Sequence, residues 1–84
     1  MSPVEWTSHA HRQFRKLPAG IQRQILSKLD DILAAPNPLS YAEPLTGHRG
    51  HVYRFRSGDY RVIVERETTR FLVLAVGHRR EVYR

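Results

Sequence analysis

The stretch that decides the fold is His51-Val52-Tyr53-Arg54-Phe55-Arg56-Ser57-Gly58-Asp59-Tyr60-Arg61-Val62-Ile63-Val64-Glu65. Two alternating runs, 51–56 and 59–65, flank Ser57-Gly58, so the stretch reads as a β-hairpin. With those two residues as the loop, Arg56 faces Asp59, Arg54 faces Arg61 and Val52 faces Ile63. Alternation then sorts Tyr53, Phe55, Tyr60, Val62 and Val64 onto a core face. Arg54, Arg56, Asp59, Arg61 and Glu65 fall on the other face, with Val52 and Ile63 between them. Like charges directly opposite are destabilising, so Arg54 against Arg61 costs folding energy unless an anion sits between them. Asp59 neutralises Arg56 but not all three arginines. A bulge or a longer loop would reassign the faces.

Beyond the hairpin, Phe71-Leu72-Val73-Leu74-Ala75-Val76 is apolar at both parities, as in a central strand buried on both sides. Gly77 ends it, and His78-Arg79-Arg80-Glu81-Val82-Tyr83-Arg84 follows. A polar cluster at the exit of a buried strand is rigidly held yet exposed, as a site requires. On the other side of the hairpin, residues 35–47 hold Pro36, Pro38, Pro44 and Gly47, a connector crossing from the preceding helices to the sheet. Ile21, Ile25, Leu29, Ile32 and Leu33 form the apolar stripe of one helix. Ala10, Phe14 and Leu17 form that of a shorter one, capped by Thr7 or Ser8 and separated by Pro18 and Gly20. The two stripes suggest a packed helical hairpin. Pro3-Val4-Glu5-Trp6 reads as a short first strand.

The 84 residues bound the chain to one domain, 1–84, with one modest core. Hydrophobic residues at 40% and charged residues at 26% argue against global disorder. Absence of cysteine excludes disulfides, zinc ribbons, iron–sulfur sites and thiol nucleophiles. No run approaches the ~20 apolar residues of a membrane span, and the N-terminus lacks the apolar core of a secretory signal, so the expected location is the cytoplasm.

Fourteen Lys and Arg against eight Asp and Glu give a net charge of +6. Residues 1–34 carry +2, residues 35–47 carry only Glu43, and residues 48–84 carry nine arginines and four acids. Arginine's planar fork grips phosphate bidentately and stacks on bases. Arginines interleaved with Tyr53, Phe55, Tyr60 and Tyr83 suggest a nucleic-acid surface; a solvated basic face is the plainer alternative.

With these residues placed, the chain resembles the RelE branch of the RelE/ParE superfamily of toxins from bacterial toxin–antitoxin systems. The resemblance runs almost the whole length. It includes Trp6, a helix with Phe14 and Lys16-Leu17, Leu45-Thr46-Gly47, the block from Tyr53 to Ile63, and the tail from Val76 to Arg84. It implies an α+β fold, β-α-α-β-β-β, with two N-terminal helices packed on a curved antiparallel sheet. It also implies a toxin that cleaves mRNA in the ribosomal A site, an endoribonuclease neutralised by a cognate antitoxin and needing neither metal nor cofactor.

Metal-free RNA cleavage uses the ribose 2′-OH as nucleophile on the adjacent phosphate, with a base, cations for developing charge and an acid for the leaving oxygen. By resemblance, Arg54 and Arg56 occupy strand positions where the best-known member has lysines at the scissile phosphate. Arginine, with pKa above ~12, does not deprotonate, so the two are expected to clamp phosphate rather than act as bases. Arg61 matches the arginine of the family's Tyr-Arg pair and is also expected to bind phosphate. The alternative for this trio is structural pairing with Asp59, Glu65 and Glu67. Arg79 matches the arginine after the last strand, to which the family assigns charge stabilisation. Tyr83 matches the near-terminal tyrosine that stacks on or orients the nucleotide, or folds back on the sheet. Arg80, adjacent to Arg79, is a second phosphate ligand. His78 is the preferred candidate base, with His51, a Tyr83 phenolate, or no strong base as rivals. Two further readings share the fold: a ParE-like gyrase-inhibiting toxin, against which the Arg79 and Tyr83 tail argues, and a non-catalytic nucleic-acid-binding member.

Overall fold

A computed structural model of the chain describes residues 4–45 and 51–81. The order is β1 (Val4–Trp6), α1 (Ser8–Arg15), α2 (Ala19–Ala34), a 3₁₀ turn (Pro38–Tyr41), β2 (Glu43–Pro44), β3 (Val52–Ser57), β4 (Tyr60–Arg66) and β5 (Phe71–His78). The strands form one sheet in the order β1-β5-β4-β3-β2. The expected helix-on-sheet layering holds, with two differences: a short extra strand, β2, precedes the hairpin, and the sheet is mixed, because β1 runs parallel to β5. Parallel neighbours need a long crossover, and here both helices and the hairpin lie between them. Among its described residues the connector holds no central strand; β2 is two residues at the sheet edge, where the missing N–H of Pro44 is tolerated.

Thr7 is the N-cap of α1: its hydroxyl accepts from the Ala10 N–H at 3.0 Å. Gln22 closes the break between the helices by donating to the Leu17 carbonyl at 2.9 Å. Ala10, Ile25, Leu29 and Ile32 then bury against Phe55, Val62, Val64, Phe71, Val73 and Val76, one cluster between the helices and the sheet. Trp6 and Phe14 join its margin edge-to-face at 5.0 Å. Burial of each large side chain contributes ~1.5–3 kcal/mol, which makes this cluster the main source of stability.

The hairpin register differs from the expected one. Ser57 pairs with Tyr60, Arg56 with Arg61, Phe55 with Val62 and Arg54 with Ile63, so the loop is Gly58-Asp59. Gly58 has φ of 60° and, among the described residues, no non-glycine residue has positive φ, which is the pattern of a II′ turn with glycine first. A Ser57-Gly58 loop would force that positive φ onto serine. The slip is two residues, so parity is kept: the core face and the arginine face are those expected, but the opposite partners change.

β5 holds a bulge. Ile63 pairs with Ala75 but Val64 pairs with Val73, leaving Leu74 as the extra residue. Phe71 and Val73 face the core before it and Val76 after it, so the apolar run at both parities records a switch of face as well as burial. Across the bulge, Gln13 of α1 accepts from the Val76 N–H at 2.8 Å.

Candidate functional site

The face of the sheet away from the helices carries Arg54 and Arg56 on β3, Arg61 on β4 and Gly77 on β5, with Arg56, Arg61 and Gly77 in one row across the strands. Val52 and Ile63 are buried on this face, outside the main cluster, and give it an apolar floor. Arg79 lies just past β5; its N–H donates to the Asp59 carbonyl at 2.8 Å, and its Nε stands 4.0 Å from the Asp59 carboxylate. Three of the expected site residues, Arg54, Arg56 and Arg61, thus share one face, and Arg79 stands beside the hairpin turn.

The acidic partner is Glu43. Directly opposite Arg54 across the β2–β3 pair, its carboxylate accepts from the Arg54 guanidinium and stands 2.9 Å from that of Arg56. The Arg54 hydrogen bond holds the Glu43 carboxyl below its usual range, with the charges of Arg54, Arg56 and Arg61 acting in the same direction against desolvation. None of the three acids offered by the sequence serves the trio: Glu67 pairs with Arg70, and Asp59 stands beside Arg79. Arg61 has no carboxylate partner among the described residues; one of its terminal nitrogens donates to the carbonyls of Gly58 (2.8 Å) and Tyr60 (2.9 Å). Sequence reasoning passed over Glu43, though a lone acid in an otherwise uncharged connector was a signal.

His78 is not brought to this face. The bulge at Leu74 places it beside Tyr60, 5.6 Å ring to ring, on the helix side. Its Nδ1 accepts from the Arg80 N–H at 3.2 Å. The parity of β5 thus sets His78, the preferred candidate base, on the side of the sheet opposite Arg54, Arg56 and Arg61. His51 precedes β3 at the end of the hairpin far from Arg61. Arg80 is exposed in the turn after β5. Tyr83 lies outside the described residues. Among the described residues, no three His, Asp or Glu side chains gather as metal ligands would, and no helix is long and apolar enough to cross a membrane.

A helical pair over a sheet with an arginine-lined outer face defines a class. The family model described as ParE toxin of the type II toxin–antitoxin system parDE matches residues 4–83, and the chain belongs to that family, within the RelE/ParE superfamily. It is thus a toxin of a type II toxin–antitoxin system. Toxin RelG of Mycobacterium tuberculosis (strain ATCC 25618 / H37Rv) is 30% identical over 83 residues, covering 96% of this chain and 94% of that protein. The toxin–antitoxin complex RelBE2 of Mycobacterium tuberculosis contains a chain superposing with a TM-score of 0.78 at 26% identity, covering 92% of this chain and 90% of that one. The intact RelBE complex of E. coli gives 0.75 at 23% identity, covering 93% and 96%, a likeness of fold.

Proposed function

We propose that this toxin is a metal-independent endoribonuclease that cleaves mRNA in the ribosomal A site, in the cytoplasm, and is silenced by a cognate antitoxin. The observation that carries the reading is the gathering of Arg54, Arg56 and Arg61 on one face, with Arg79 beside the hairpin turn and Glu43 as the carboxylate in contact with two of the three. An anion held between two guanidiniums marks where a phosphate would be held, since a carboxylate and a phosphate present the same acceptor geometry to arginine. Arg54 and Arg56 then clamp the scissile phosphate. Arg61 and Arg79 stabilise the charge that develops as the 2′-oxygen attacks and the 5′-oxygen departs. Tyr83 stacks on the nucleotide, and Arg80 adds a peripheral phosphate contact.

Glu43 bears on the base. Paired with Arg54 it is held ionised, which makes it a weak proton acceptor at neutral pH. A phosphate that takes over the two arginines frees Glu43 and returns its pKa toward the ordinary carboxylate range. The mechanism therefore leans on charge stabilisation and on substrate geometry imposed by the ribosome, not on a strong base. The antitoxin partner is supported by the relatives solved as toxin–antitoxin complexes.

Primer extension on a translated mRNA after induction tests this. Codon-phased cuts that vanish in Arg61→Ala support the nuclease. The matching family model is described as a ParE toxin, so DNA breaks trapped with gyrase would establish the second reading instead. Neither outcome would mean a non-catalytic binding member.

A further inference from the structure

Where β3 ends, a cleft of about 250 Å³ opens between the hairpin and α2. Gln24, Ser27, Lys28 and Asp31 line its helix wall, and 56–58 its strand wall. Among the described residues none of those four helix side chains makes a hydrogen bond or ion pair. On the opposite wall Ser57 is 5% exposed, and its hydroxyl finds no partner among the described residues. Buried hydroxyls in folded proteins are normally satisfied, so an orphan beside a polar cleft calls for an explanation.

The backbone adds to this. Ser57 and Tyr60 close a two-residue loop and exchange both their backbone hydrogen bonds, so Arg56 turns its N–H and C=O away from β4. β2 pairs only with Tyr53 and Arg54, so beside Arg56 the strand edge has no neighbouring strand among the described residues. Gly58 brings the turn close to the helix: a Cβ there would stand 3.3 Å from the Gln24 amide nitrogen. Arg56 belongs to both features.

We propose that the cleft is a subsite for the nucleotide next to the cut, with its base against Gln24, Ser27 and Asp31 and its phosphate between Lys28 and Arg56. The proposal rests on the RNA-cleavage reading and adds a base preference to it. Single-stranded RNA is read by splayed bases hydrogen-bonded along their edges. A glutamine amide offers one donor and one acceptor side by side, which suits adenine, and a carboxylate accepts from the amino group of cytosine. Uracil has no exocyclic amino group to offer Asp31. The cleft therefore favours adenine or cytosine over uracil.

Single-turnover cleavage on ribosomes programmed with mRNAs that differ only at a base flanking the cut tests this. Wild type is expected to cut the adenine or cytosine message at least tenfold faster than the uracil message. Gln24→Ala and Asp31→Ala should flatten that ratio, and Lys28→Ala should slow all messages alike by several-fold. All three are exposed helix positions where alanine is a good helix former, so folding is preserved. A wild type that cuts with no base preference, or variants that keep the preference and the rate, would overturn the subsite and leave the nuclease reading standing. A wild type that does not cut on ribosomes would overturn both.

Discussion

Arg56 lies directly opposite Arg61 across the β3–β4 ladder. Two like charges at that position destabilise a sheet, and the structure relieves them in different directions. Arg56 reaches to Glu43 at 2.9 Å on the β2 side. Arg61 folds back onto the turn, where it donates to the carbonyls of Gly58 and Tyr60. Among the described residues one carboxylate serves two of the three arginines, so the charge there is offset only in part. A surface that keeps uncompensated cations side by side is arranged to receive an anion.

That arrangement separates function from stability at Arg61. Arg61→Ala loses two hydrogen bonds, each worth ~0.5–1.5 kcal/mol net, and also removes the repulsion with Arg56. The net loss, ~1–2 kcal/mol after that relief, should lower the melting temperature by ~4–16 °C and leave the fold intact, given ~4–8 °C per kcal/mol for a domain of this size. Cutting should fall by ~10²–10³, the usual loss for one transition-state charge contact. Calorimetry beside single-turnover cleavage checks this, and a large drop in melting temperature with normal cutting would make Arg61 structural.

Arg54 and Arg56 should each contribute about one phosphate contact. Arg54→Ala and Arg56→Ala are expected to lower the slope of log K against log salt by ~0.7 each for single-stranded RNA. The side chains are 25% and 63% exposed, so the more enclosed Arg54 should show the larger loss of affinity. Titrations at three or more salt concentrations decide it, and unchanged slopes for both would remove them from the RNA interface.

The faces of the hairpin were legible in the sequence because a two-residue slip leaves side-chain parity untouched. The opposite pairs were not, because Ser57-Gly58 and Gly58-Asp59 are both acceptable dipeptides until the positive φ is assigned to the glycine. The side of β5 on which His78 lies was hidden for a related reason. With Phe71 and Val73 in the core, unbroken alternation sends His78 to the arginine face and Arg79 to the helices. The extra residue Leu74 instead sets His78 opposite Tyr60, on the helix side. An uninterrupted apolar run gives no sign of where such a residue sits. The lone charge of Glu43 stands out in the connector, but its pairing with Arg54 and Arg56 was not legible, because it depends on a two-residue edge strand that no periodicity reveals.

Gly58 is required twice, by the turn and by the helix. Gly58→Ala would put a side chain at φ of 60° and 3.3 Å from Gln24. Left-handed backbone costs an L-residue ~1–2 kcal/mol, so the variant should melt ~4–16 °C lower by the same scaling. Gly58→Asn should lose less, because asparagine tolerates positive φ better. Thermal melts of both variants test this, and equal losses would assign the requirement to the Gln24 contact instead.

Glu43 links the site to pH. Its folded pKa is lowered by the Arg54 hydrogen bond from the ordinary value of 4.5. A group with a depressed folded pKa binds fewer protons in the native state than in the unfolded one, so it stabilises the fold above the unfolded pKa. That contribution is lost as pH falls from 4.5 through the lower folded value. Glu43 is exposed and salt screens it, so the effect is small and should shrink further in high salt. Glu43→Gln cannot ionise and should lack this step in a plot of stability against pH. The same variant leaves Arg54 and Arg56 without a competing carboxylate, so phosphate or RNA should bind it more tightly than wild type at neutral pH. Urea melts between pH 2 and 6, paired with RNA titrations at pH 7, check the two halves together. A Glu43→Gln protein that binds RNA more weakly than wild type would mean that Glu43 holds the arginines in their working geometry rather than occupying the place of the phosphate.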